Sequence, residues 1–129
     1  MLVKWCRAFP GLPEQVAEAR HFVAAVLHGW RGAEAAVLVV SELAANAVQH
    51  TLSGADGGRF LVIVDFRAES VRLEVVDQGG DRLPQRCDAT SQQEGGRGLT
   101  LVAAFSKDWG VADSVDGRSV WADFSLGGA

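Results

Sequence analysis

The chain has 129 residues, 48% of them hydrophobic and 22% charged, with 12 Lys+Arg against 16 Asp+Glu and a formal net charge of −4. That length suits one domain, residues 1–129, with a core of its own, and the apolar content excludes intrinsic disorder. A mildly acidic chain without a basic block is a poor partner for nucleic acid or a membrane surface. Its only cysteines, Cys6 and Cys87, form no CxxC pattern, which argues against a zinc site or a stapled secreted fold and for free thiols in a reducing cytosol.

Lys4-Trp-Cys-Arg-Ala-Phe9 reads as a short strand. Pro10-Gly-Leu-Pro13 ends it and opens a helix, because proline suits a first helical turn. From Glu14 to Trp30 the apolar residues Val16, Ala19, Phe22, Val23, Val26, Leu27 and Trp30 recur at helical spacing, and Arg31-Gly32 breaks the run. A second helix is expected from Ala33 to Thr51. It is apolar almost all round, as a helix buried on most sides would be. Ser53 to Gly58 connects it to a strand, Phe60–Phe66. A turn at Arg67–Ser70 leads to Val71-Arg-Leu-Glu-Val-Val-Asp77, whose alternation of apolar and charged residues predicts a half-exposed antiparallel strand.

The Gly-rich stretch Gln78–Gly96, with Pro84 inside it, is long enough to be a lid or binding loop. A short helix over Leu99–Phe105 follows. Two further strands, Asp108–Ala112 and Arg118–Phe124, close the chain around Ser114–Gly117, and the terminal Gly127-Gly-Ala129 is expected to fray. Strands joined by hairpins, with the helices on one face, make an α+β two-layer sandwich with a mostly antiparallel sheet. No apolar run reaches the ~20 residues of a membrane helix, and the start carries no secretory leader pattern, so a cytoplasmic protein is expected.

Three features carry candidate chemistry. Glu42, Asn46, Gln49 and His50 fall within about a third of the second helix's circumference. The stripe is either a solvent face or the wall of a site. As a wall, Glu42 would act as a base or orient a water, and Asn46 would offer an amide oxygen to Mg²⁺. Asp77-Gln-Gly-Gly80 at a strand end is either a turn or an acceptor for an exocyclic amine, with glycines that let a flat ring approach the backbone. Gly95-Gly-Arg-Gly98 ahead of a helix is either a loose connection or a nest of N–H groups for phosphate. It is not a Walker A loop, since no Gly-Lys-Ser/Thr follows.

In this order, Glu42-Leu-Ala-Ala-Asn46-Ala, Asp77-Gln-Gly and Gly95-Gly-Arg-Gly-Leu99 resemble the N, G1 and G2 boxes of the GHKL ATPases, the Bergerat-fold superfamily of gyrase B, Hsp90, histidine kinases and MutL. The small size, the N-terminal strand, Ser41-Glu-Leu43 and the Gly-Arg-Gly-Leu-X-Leu-Val ending look most like the anti-sigma-factor serine/threonine kinases. The likeness runs from about Ala8 to Phe124. It implies ATP and Mg²⁺ as ligands, Glu42 as general base or water-orienting carboxylate, and Asn46 as the Mg²⁺ ligand. It further implies Asp77 as acceptor for the adenine amine, Gly79 beside the adenine, and Gly96, Arg97, Gly98 and Leu99 around the phosphates.

The resemblance also implies partners: a sigma factor that is sequestered and an antagonist protein phosphorylated on serine, with neither nucleic acid nor membrane contacted directly. It is compatible with a homodimer. Gly79-Gly80 departs from the Gly-X-Gly of many relatives, and the lid is short. No phospho-acceptor histidine helix is expected, which disfavours a one-chain histidine kinase. The alternative function is a non-catalytic switch in which nucleotide orders the segment about 78–96 for a partner. A pure interaction domain is the third reading, and Glu42, Asn46 and Asp77 argue against it.

Overall fold

The computed structural model describes residues 3–50, 57–78, 100–114 and 117–125, without the side chains of His50 and Ser114. The elements run β1 (Lys4–Pro10), α1 (Pro13–Val26), α2 (Ala33–His50), β2 (Arg59–Phe66), β3 (Ser70–Asp77), β4 (Asp108–Ser114) and β5 (Gly117–Ser125). A short helical segment over 100–105 precedes β4. The five strands form one sheet in the order β1-β2-β3-β5-β4, and every neighbouring pair is antiparallel. The expected α+β sandwich is the fold found.

Alternation along the strands sorts the sheet into two faces. Phe60, Val62 and Val64 of β2 and Val71, Leu73 and Val75 of β3 are all buried, and they line the face that the helices cover. Their partners in register include Phe9 of β1 opposite Phe60, and Ala122 and Phe124 of β5 opposite Leu73 and Val71. From above, α1 contributes Ala19 and Val23, and α2 contributes Ala36, Val39, Val40, Leu43, Ala44 and Ala47. Val102 of the segment 100–105 is fully buried in the same core, and the Val102 carbonyl accepts both the N–H (3.0 Å) and the hydroxyl (2.6 Å) of Ser106 where that segment ends. Each buried Val, Leu or Phe side chain here contributes about 1.5–3 kcal/mol by leaving water. Phe9 stacks on Phe60 at 5.4 Å between centroids and meets Phe22 edge-on, which pins α1 to the β1–β2 corner.

The strand bounds shift by a residue or two, and the helices depart further from expectation. The first helix ends at Val26, not Trp30. Leu27, at the cap, is buried, and Gly29 takes φ +86°, which lets the chain turn back. Trp30 thus leaves the helix and packs edge-on against Phe124 at 6.3 Å. The second helix is not buried all round either: Leu38 is exposed, because α2 lies on the sheet along one side only. The open face of the sheet carries charge between apolar side chains. Arg72 forms two hydrogen bonds to Asp123, of 2.7 and 2.9 Å, and lies 3.9 Å from the centroid of the Trp121 ring, while Ser119 donates to Glu74.

Candidate functional site

Asp77 is the only buried polar or charged residue among the described ones, at 5% exposure. The reason lies in strand phase. Val71, Leu73 and Val75 face the helices, so the next inward position is Asp77, and Val76 points to the open face. A carboxylate is thereby placed at the end of an apolar row, where charge is held only by polar partners.

Neighbouring strands fix the backbone there. On the β2 side, Gln78 accepts a 2.6 Å hydrogen bond from the Arg59 N–H through its side-chain oxygen. On the β5 side, the strand begins at Gly117, with φ +148°. A Cβ at Gly117 would land on the Asp77 carbonyl oxygen, 3.1 Å from the Asp77 carbonyl carbon and 3.3 Å from the Gln78 Cα, so only glycine permits this approach. Arg118 stands between Asp77 and Asp113 in register and donates to Asp113 at 3.0 Å.

The other predicted residues divide into two groups. Glu42 and Asn46 are half-buried on α2, one turn apart on the flank of its buried face, and α2 packs against β3. The stripe they begin is therefore partly covered near the sheet and opens to solvent by Gln49, which is exposed. Both α2 side chains and Asp77 belong to the helix-covered side of the sheet. Gly79, Gly96, Arg97, Gly98 and Leu99 lie outside the described residues, as do the side chain of His50, Cys87 and all of the expected lid except Gln78. Gln78 and Gly117, which the sequence reading passed over, abut Asp77. The +148° φ of Gly117 has a counterpart in the sequence, where Asp116-Gly117 is a turn-forming dipeptide.

Of the expected thiols, Cys6 is free and exposed. Among the aromatics, Phe9 is core, Trp5 is half exposed and Trp121 lies on the open face. No helix among the described residues is long and apolar enough to cross a membrane.

The residues fit an adenine nucleotide in the chemistry of their donor set. A buried carboxylate accepts from an amine, while an amide oxygen and a second carboxylate suit a hard cation and a proton. Among curated proteins none matches the chain. The histidine kinase-like ATPase domain family matches residues 9–124, a span that takes in β2 to β4, all of β5 but Ser125, both helices and all three boxes, and it implies ATP binding. By that match and by its α+β architecture, the chain belongs to the histidine kinase-like ATPase domain family.

Proposed function

We propose that this chain is an ATP-dependent regulator of the anti-sigma-factor type, a serine/threonine kinase that phosphorylates an antagonist protein and holds a sigma factor. The observation that carries the reading is the buried Asp77 carboxylate at the end of β3, on the same side of the sheet as Glu42 and Asn46. Asp77 accepts a hydrogen bond from the adenine amine and selects the base. Asn46 supplies an oxygen to Mg²⁺, which when bound neutralises phosphate charge. By resemblance, Gly96, Arg97, Gly98 and Leu99 are the proposed phosphate contacts, and Gly79 is the proposed neighbour of the base.

Glu42 takes the proton of the attacking serine hydroxyl. The serine oxygen forms its bond to the γ-phosphorus as the bond to the β,γ-bridging oxygen breaks, and ADP leaves. Such transfer asks mainly for positioning and charge neutralisation, which suits a small domain with few polar groups in its site. The sigma factor and the antagonist protein are the proposed partners, and the cytoplasm is the proposed setting.

The test is a pair of measurements. Mg-ATP is titrated by calorimetry with and without EDTA, and radiolabelled ATP is offered with candidate antagonist proteins encoded beside this gene. Metal-dependent binding together with serine labelling, lost in Glu42→Ala, is the expected result. Tight ATP binding without labelling of any antagonist overturns the kinase reading in favour of the nucleotide-ordered switch.

A further inference from the structure

Asp77 is not merely at a strand end. The peptide that joins it to Gln78 is held from both sides, by the Arg59 N–H on β2 through the Gln78 side chain and by the bare backbone of Gly117 on β5. Gln78 is exposed, so its bond to Arg59 costs desolvation little. An added Cβ at Gly117 would meet the backbone of Asp77, whereas one at Gly32 or Gly110 would meet a tryptophan side chain and one at Gly29 or Gly57 open space. The arrangement restrains the main chain on either side of one carboxylate, and a side chain's aim is set by its own Cα.

We propose that Gln78 and Gly117 are positioning residues that aim the Asp77 carboxylate at the 6-amino group of the base, and so set the preference for adenine over 6-oxo purines. The inference rests on the reading of Asp77 as the adenine acceptor. A carboxylate accepts from the amine of adenine and repels the 6-oxygen of hypoxanthine, so discrimination depends on where its oxygens sit. Shifting the β3 end by a few tenths of an ångström weakens the ATP contact and relieves the clash with the 6-oxo base. The ratio of the two affinities therefore reports aim, which overall stability does not.

Calorimetric titration with ATP and with inosine triphosphate, beside a thermal melt of each variant, separates the possibilities. The wild type is expected to favour ATP by about ten-fold or more, as a hydrogen bond to a charged group allows, and Asp77→Asn to lose that preference. Equal wild-type affinities, or a preference that survives Asp77→Asn, sinks the acceptor reading itself. With that reading intact, Gly117→Ala should lower the ratio several-fold. Gly110→Ala is the control: its Cβ meets the Trp121 ring at 2.5–2.9 Å on the open face, so it should lower the melting temperature and leave the ratio alone. On the other flank, Gln78→Ala should lower the ratio, and Gln78→Glu, which keeps the acceptor oxygen, should restore it. These two variants decide the matter if Gly117→Ala does not fold. A ratio unchanged in Gln78→Ala, or in a folded Gly117→Ala, overturns the proposal.

Discussion

The two faces of this sheet handle polar groups in opposite ways. The open face holds Arg72, Glu74, Ser119 and Asp123 in reciprocal pairs, with the Arg72 guanidinium also lying on the Trp121 ring. Such groups explain one another, and no ligand is needed to account for them. Among the described strand residues, the covered face buries one carboxylate, Asp77, at the end of an otherwise apolar row. Abundance of charge is thus the poorer guide to a site here. A single ionisable group where strand phase demands an apolar side chain is the better one.

The comparison can be sharpened by substitution. The largest effect belongs to the covered face: Phe60→Ala removes a ring that is 1% exposed and stacked on Phe9, and should cost about 3–5 kcal/mol, read from a urea midpoint. Asp77→Asn should cut ATP affinity by about ten-fold or more with a smaller change in melting temperature. A protein that melts much earlier yet binds ATP as before would make Asp77 a structural residue and dissolve the contrast.

On the open face, Arg72→Ala loses a bidentate pair whose side chains are 25% and 14% exposed, and should cost about 1–2 kcal/mol without touching nucleotide affinity. The hydrogen bond to Asp123 raises the Arg72 pKa above the ordinary arginine value, against the opposing effect of burial. Its contribution is therefore fully present below that ordinary value and is lost only as pH rises through the raised one. The wild-type-to-Arg72→Ala difference should accordingly stay level between neutral and mildly alkaline pH in denaturant titrations. The smallest effect is expected at Arg67, whose pair with Asp65 is 3.0 Å long but 43% exposed on the arginine side. Arg67→Ala should shift stability by less than about 0.5 kcal/mol.

Most of the architecture was legible in the sequence, because the periodicities are clean. Alternation along Val71–Val75 and helical spacing along Val16–Leu27 each name a buried face, and turn residues separate them. Trp30 escaped because an aromatic at helical spacing looks the same whether the helix continues or a cap at Leu27 hands it to the sheet. In α2 the small residues Ala35 and Ala45 mimic burial that the structure gives only in part. At the site, Glu42, Asn46 and Asp77 could be singled out as residue types, but the inward aim of Asp77 was hidden by the Val75-Val76 doublet, which blurs the strand's phase. Carrying the alternation two residues further would have placed it. Gly117 could not be read at all as an abutment, since the contact joins positions forty residues apart and depends on β5 lying beside β3.

That strand order has a consequence for a chain still being made. By the time β3 has been synthesised, β1, α1, α2 and β2 are in hand, and antiparallel pairing up to β3 can form. The strand that walls Asp77 on its far side is the last of the described strands in chain order. A nascent polypeptide that ends before Gly117 carries the carboxylate but not its neighbour. On the proposed reading of Asp77, nucleotide recognition therefore waits for β5, and ATP stabilises the fold by mass action only once that strand has paired.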